Sequence, residues 1–272
     1  MKEKEMEIVP YEIYKLEKLR QRTITFYGWD NLKVLRIKEC DMSEMYWEMF
    51  DGLSKLEHLS LDDNGIKDIP AFSFYGTPNI KSLSLSNNEI FDLNYRCLAG
   101  LLELQLLDLS HNNIGKLSEQ TFPPFPKLEI VDLRDNPIRN LFPSIFGVMN
   151  KTEVLYVGAE DVPLELNAPK PFEDLASLIY LEIPNLHIPK MDESVFSSLQ
   201  NLEILKIRHG NIPFIEFDSF SKLLKLKEMH MSHCRIEEIS MDTFFGAKQL
   251  EIVDLSHNLL KTIPPGLFDD QH

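Results

Sequence analysis

The amino-acid sequence predicts a repeat solenoid of the α/β type, in which each repeat supplies one short strand to a parallel sheet. Three observations carry that expectation. Ten of the 17 phenylalanines fall in one column, at Phe26, Phe50, Phe74, Phe122, Phe146, Phe172, Phe196, Phe220, Phe244 and Phe268. Successive members lie 24 residues apart, with Leu98 filling the gap between Phe74 and Phe122 and one step of 26 from Phe146 to Phe172. A second pattern, L-x-x-L-x-L-x-x-N-x-L, runs in the same phase, clean in Leu56, Leu59, Leu61, Asn64 and Ile66 and again in Leu104, Leu107, Leu109, Asn112 and Ile114. The two columns then agree over ten repeats, beginning at residues 32, 56, 80, 104, 128, 152, 178, 202, 226 and 250. A fixed period of this length is the signature of a stacked array.

Composition agrees with a folded chain and narrows its partners. The 272 residues carry 43 Asp plus Glu against 28 Lys plus Arg, a formal charge of −15. Phosphate backbones are gripped by clustered Lys and Arg, so nucleic acid is not the expected partner. With 43% apolar residues, 11 Gly and 16 Pro the sequence supports a sizeable core and does not read as disordered.

The elements follow from the columns. In Leu-x-Leu the apolar side chains alternate with period two, so Leu59 and Leu61 point inward while His58, Ser60 and Asp62 point outward. Each repeat thus gives one strand, and the longer return path carries its Phe inward from the other side as a spine. The Asn column, Asn64, Asn88, Asn112, Asn136 and Asn258, sits where each strand turns and buried backbone groups need partners. An inward amide donates and accepts at once, so this ladder is structural. Cys40 and Cys234 share the column, and eight strand steps of roughly 4.8 Å put them far beyond the reach of a disulfide. With Cys97, the three cysteines are too few and too scattered for a disulfide framework or a paired zinc site.

These residues give the chain its resemblance to leucine-rich repeat proteins of the 24-residue, phenylalanine-bearing subclass found mostly in animal extracellular proteins, such as Toll-like receptor, Slit and adhesion-type ectodomains. The resemblance covers residues 32 to 268. It implies a curved solenoid with the parallel β-sheet on the concave face and irregular or short helical segments on the convex face. It also implies a non-enzymatic, protein-binding module. Residues 1–31 form a degenerate N-terminal repeat or capping segment, in which Ile8, Tyr11, Ile13 and Phe26 fall in phase, and 32–272 form the array of ten repeats.

The pattern breaks between about 152 and 213. The Asn column becomes Glu160, Leu186 and Gly210, the sixth repeat carries two extra residues within 163–171, and six of the 16 prolines lie in this region. Pro184 falls at an outward strand position, where it removes a ladder donor, so the sheet is expected to be locally irregular here. Sequence drift and a partner-presenting irregularity are both open readings. A carboxylate at Glu160, in an amide site, must be exposed, paired or protonated.

Outward positions, the third, fifth, seventh and eighth of each repeat, read as one surface. The first repeat shows Val34, Arg36, Lys38 and Glu39. The next four show His58, Asp62, Asp63, Asp108, His111, Asp132, Arg134 and Asp135, a mostly acidic patch. The middle turns neutral and aromatic with Val154, Tyr156, Tyr180 and Asn185, and the last repeats offer Lys206, Arg208, His209, Glu228, His230, His233, Asp254 and His257. Partner contacts are expected at Asp62, Asp63, Asp108, Asp132, Asp135, Tyr156, Tyr180, Lys206, Arg208, His209, His230, His233 and His257. His209, His233 and His257 share one position in successive strands, roughly 5 Å apart, where protonation near pH 6 would set them against one another; polar filler is the competing reading.

No metalloprotease motif, phosphate-binding glycine loop or nucleophile elbow appears, and the concave carboxylates read as solvated and spread out, so no catalytic residue, metal or cofactor is expected. No stretch approaches the roughly 20 apolar residues that cross a bilayer, and Met-Lys-Glu-Lys-Glu-Met-Glu has no apolar signal core. Cysteine-rich caps usual in the subclass are missing, so the natural protein is expected to continue at both ends, with any membrane attachment through a segment outside this sequence. The sequon Asn150-Lys151-Thr152 is the glycosylation candidate. The expected setting is extracellular or cell-surface, with a protein ligand or co-receptor on the concave face and a homodimer as a further option. A cytosolic repeat scaffold and a self-assembling matrix component are the alternatives.

Overall fold

The computed structural model describes residues 26, 28–142, 144–166 and 170–269. Ile8, Tyr11 and Ile13, the in-phase residues of the leader, lie outside the described residues, as does part of the 163–171 insertion. The chain divides into two compact units, Met1–Gly115 with Gln120–Asp132, and Lys116–Glu119 with Leu133–His272. Each is a parallel β-solenoid of stacked coils.

In the first unit the strands Val34–Arg36, His58–Ser60, Ser82–Ser84 and Leu106–Asp108 pair in parallel with a constant shift of one repeat. The opening residues of Ile130–Arg134 continue the register, so Leu35, Leu59, Leu83, Leu107 and Val131 form one inward row, each at most 1% exposed. Burying an aliphatic side chain of this size contributes about 1.5–3 kcal/mol, repeated in every coil. On the return side Phe26, Phe50 and Phe74 stack with ring centroids 6.3 and 5.9 Å apart, nearly coplanar in orientation. Leu98, fully buried, takes the next place, and Phe122 packs on Phe125 instead.

In the second unit the strands Val154–Gly158, Tyr180–Pro184 and Ile204–Arg208 are five residues long, followed by Glu228–His230 and Ile252–Asp254 at three. Their inward row is Leu155, Leu181, Leu205, Met229 and Val253. The spine is unbroken here: Phe146, Phe172, Phe196, Phe220, Phe244 and Phe268 stack at 5.5 to 6.4 Å. Among the described residues, helix is confined to the short Glu193–Phe196, whose cap Asp192 accepts from the Ser194 amide, and a 3-10 turn at Gly147–Met149.

The ladder amides act as two-sided clips. Asn88 Oδ1 accepts from the Ile66 amide of the preceding repeat, while its Nδ2 reaches the carbonyls of Leu61, Leu85 and Ser86. Asn112 repeats this on Ile90, Leu85, Leu109 and Ser110. Asn64 receives the amides of Cys40 and Met42, and Asn258 those of Cys234 and Ile236. Asn136, fully buried, donates to Leu133 and Arg134.

The break at 152–213 corrects the expectation of a locally irregular sheet. Pro184 does not disorder the sheet. It is buried and pairs with Arg208 at the end of a five-residue strand, and the next amide, Asn185 N, still donates to Arg208 O at 2.6 Å, the same rung that the Asn87, Asp135 and His209 amides make in their repeats. The region also holds more β-structure than the regular repeats, because short parallel pairings form on the return side between Leu164–Glu165 and Leu186–His187, and among Lys190–Met191, Phe214–Ile215 and Glu238–Ile239. Backbone takes over the missing amides' role. At Gly210 a Cβ would lie 2.8 Å from Leu186 O, and at Gly158, with φ +112°, 2.9 Å from Pro184 O, so only glycine allows the coils to close directly on each other. Leu186 stands buried in its amide position, and Glu160 takes the exposed option, its carbonyl receiving Asn185 Nδ2 at 2.9 Å.

Candidate functional site

The surface that each unit presents starts from the outward side chains of its strands. One backbone rule shapes it. The eighth position of the repeat is left-handed at Glu39, Asp63, Asn87, His111, Asp135, Asn185, His209, His233 and His257, with φ between 53 and 57°. Asn, Asp and His tolerate this region better than other side chains, so backbone conformation explains why they recur there. The histidine column therefore has a structural origin as well as a surface consequence.

On the first unit the expected acidic patch is partly covered. Asp62 is buried beneath its neighbours on the outward side. Lys38 Nζ sits 2.7 Å from its carboxylate, Ser60 and Ser84 donate their hydroxyls, and the Ser86 amide donates at 3.1 Å. Burial pushes its pKa up, but the Lys38 ammonium and the two serines outweigh it and hold the carboxyl below the usual range. Asp132 is also buried, at 8% exposed, so two of the five expected acidic contacts are covered by their neighbours. The reason is that small serines at neighbouring outward positions let the next strand's carboxylate fold back onto the sheet. Asp63 is half-buried and accepts from Asn87, and Asp108 is half-buried and holds the Ser110 amide at 2.9 Å, while Asp135, which belongs to the second unit, is exposed. Glu57 lies between Lys33 and Lys81 at 2.9 and 2.6 Å, and those hydrogen bonds lower its pKa to about 2. An open concavity of about 750 Å³ covers the first strands, lined among others by Trp29, Val34, Arg36 and His58.

On the second unit the expected aromatic and basic residues come together. The Arg134 guanidinium lies 4.2 Å over the Tyr156 ring, the Tyr156 and Tyr180 rings are 5.2 Å apart, and Lys206 Nζ lies 5.4 Å over Tyr180. The register explains it, since Tyr156, Glu182, Lys206, His230 and Asp254 form one cross-strand row while Tyr180 stands two residues earlier. Glu182, which the reading of outward residues missed, ties the group together. It is 5% exposed, accepts the Tyr180 hydroxyl at 2.6 Å and pairs with the Arg208 guanidinium. Burial raises its pKa, yet the Tyr180 hydrogen bond and the Arg208 and Arg134 charges prevail and keep it ionised. Burial and the same carboxylate raise the Tyr180 phenol well above its ordinary value. The signal that finds Glu182 is its fifth position in the repeat that starts at 178, the same rule that selects Tyr156 and Lys206. This carboxylate and Asp62 also correct the expectation that the sheet carboxylates are solvated.

Further along, the His209 and His233 rings stack at 4.9 Å and His233 and His257 at 4.2 Å, all three exposed. His230 Nε2 lies 3.2 Å from Glu228. Asn150 is exposed at the end of the 3-10 turn, with Thr152 of its sequon buried. The three cysteines are free, and burial raises each thiol pKa, that of Cys234 to about 11, which keeps them protonated and weakly nucleophilic. Among the described residues no group of three or more His, Cys, Asp or Glu is arranged to hold a metal ion, and no helix is long and apolar enough to cross a membrane.

A family model described as leucine rich repeat matches residues 54–114, 102–162, 176–236 and 225–272. No curated protein sequence matches the chain. Among solved structures it is similar to the TLR13–ssRNA13 complex, with a TM-score of 0.66 at 24% identity over 88% of this chain and 42% of that one. It is also similar to the Drosophila Toll–Spatzle complex, with a TM-score of 0.74 at 21% identity over 85% of this chain and 30% of that one. The mouse RP105/MD-1 complex gives a TM-score of 0.75 at 22% identity over 90% of this chain and 47% of that one. The chain thus spans less than half the length of each of these structures, and at such identities the likeness is one of fold. Its repeats, its amide ladder and the family match place the chain in the leucine-rich repeat family.

Proposed function

We propose that the chain is a protein-binding module acting without chemistry, the ligand- or partner-binding region of an extracellular receptor, adhesion or secreted protein. The observation that carries this reading is the row Arg134, Tyr156, Tyr180 and Lys206 on the second unit, held by the Glu182–Arg208 pair. Tyr and Arg dominate the energetic centres of protein interfaces, because a rigid ring or a planar guanidinium gives large contact area at low entropic cost. Here those side chains are already fixed by one another, which reduces what binding must order.

The titles of the similar structures name Spatzle and MD-1 as partners, and a single-stranded RNA in the case of TLR13. A protein partner suits this chain better, since its charge is −15 and the cations of the row are few and already paired with rings and a carboxylate. The exposed Asn150 sequon supports passage through the secretory pathway. The decisive experiment screens the purified chain against an array of secreted and cell-surface proteins. A partner using this face loses tenfold or more in affinity on Tyr156→Ala or Tyr180→Ala and little on Asp62→Asn. Binding indifferent to both tyrosines would sink the reading, and a cytosolic partner unaffected by them would favour the scaffold alternative.

A further inference from the structure

We infer that the stacked column His209, His233 and His257 is an acid-gated strip for a carboxylate-rich peptide segment of a partner protein. The inference rests on the protein-binding reading and names the chemistry of the partner. Three consecutive repeats place an imidazole at the same left-handed position, with φ of 56, 57 and 56°. Their backbones impose a common direction on the side chains, and the rings meet face to face at 4.9 and 4.2 Å. Neutral imidazoles stack at this distance, whereas imidazolium ions repel. His233, between the other two, has its pKa lowered by burial and then by the charges of His257 and His209, with Asp254 pulling the other way. Protons therefore enter the column most readily when an anion arrives with them, so binding of carboxylates and binding of protons favour each other.

The surrounding charges decide the sign. On the strands packed around the column the cations are Lys206 and Arg208, with Arg235 exposed in the turn beyond. The anions already have partners: Glu182 with Tyr180 and Arg208, Glu228 with His230, and Asp254 with the hydroxyl-bearing Ser256 through its amide at 2.9 Å. Protonation thus adds positive charge to a strip whose own carboxylates are engaged, while salt screens exposed charges more than about 10 Å away. A nucleic acid would need a continuous run of permanent cations to match its phosphates, and this strip has two permanent cations among conditional ones. A peptide with a few carboxylates asks for less, and the tyrosine row beside it offers surface for its apolar residues.

The test uses a fluorescent hexa-aspartate peptide titrated with the full chain at fixed ionic strength, since aspartate remains ionised at pH 5.5. Affinity should rise about tenfold from pH 7.5 to 5.5, the scale expected of a few exposed charge pairs. Substituting His209→Asn, His233→Asn and His257→Asn together keeps side chains suited to the left-handed backbone, and this variant should bind with the same affinity at both pH values. By NMR the pKa of His233, lowered in the free column, should rise on adding the peptide. A wild-type affinity flat with pH, or the same slope in the triple variant, would overturn the gating. If a tyrosine-sensitive protein partner still bound that variant, the protein-binding reading would stand without it. Tighter binding of a single-stranded RNA hexamer than of the peptide, with the same slope, would overturn the peptide assignment in favour of nucleic acid.

Discussion

Among the described residues the first unit buries Asp62 and Asp132 on its sheet and the second buries Glu182, and the company that Asp62 and Glu182 keep differs. In the first unit Asp62 is closed in by two serine hydroxyls, an amide and the Lys38 ammonium. In the second, Glu182 is closed in by the Tyr180 phenol and the Arg208 guanidinium, groups that themselves remain partly in solvent. Both solutions satisfy a buried charge, as they must. Short serines complete the network inside the sheet and leave little to offer a partner. Tyr and Arg complete it from outside, so the side chains that hold Glu182 are also the surface presented. The same need, met with larger residues, turns a stabilising cluster into a candidate interface.

The spines supply the largest test of how differently the units are built. Phe196 stacks between Phe172 and Phe220 at 6.0 and 6.4 Å, whereas Leu98 stands in the first unit's column without a ring. Phe196→Ala should cost about 3–5 kcal/mol and Leu98→Ala about 2–4 kcal/mol, read from urea unfolding of each variant. Equal losses would show that ring stacking adds nothing to burial. Next in size are the carboxylates themselves. Asp62→Ala and Glu182→Ala each strand hydrogen-bond donors and should cost about 1–3 kcal/mol. The Glu182 change alone should also release the tyrosine row, visible as increased mobility of the Tyr180 ring in NMR spectra.

Acid resolves the two sites further. Both carboxyls have folded-state pKa values below the ordinary range. Their contribution is therefore complete above the unfolded pKa of about 4 and is lost as pH falls through the lower folded values. Thermal stability should be flat from pH 7 to 5 on this account and fall below about pH 4. Asp62→Asn and Glu182→Gln should each shallow that fall, and a wild-type decline already complete at pH 5 would contradict the assignment.

What the sequence discloses, and what it hides, follows the range of the cause. Leu59, Phe74 and Asn88 are legible because each acts through a column that repeats every 24 residues, and periodicity needs no coordinates. Asp62 is misread as solvated because its burial depends on Lys38 and Ser84, residues of two other repeats whose side chains must be seen to reach it. Pro184 is misread because the rung to the next strand is carried by the amide of Asn185, as the equivalent amide carries it in other repeats, so proline's lack of a donor does not break it. Glu182 is hidden for the same reason as Asp62. Its position predicts a surface residue, and only Tyr180 and Arg208 together make it an internal one.

The smallest expected effect separates the two tyrosines of the row. Tyr180 donates its hydroxyl to Glu182, while the Tyr156 hydroxyl makes no hydrogen bond among the described residues and its ring is what touches Arg134 and Tyr180. Tyr180→Phe should cost about 1 kcal/mol, the net value of one hydrogen bond to a charged group near the surface. It should also raise the Glu182 pKa, because that hydroxyl is the leading influence holding it down against burial. Tyr156→Phe should change stability by less than about 0.5 kcal/mol and leave that carboxyl where it is. Side-chain carboxyl titration by NMR reads both. If the two substitutions moved Glu182 alike, the hydroxyl would not be its anchor, and the contrast between an enclosed Asp62 and a Glu182 held by its own interface would fail at its central bond.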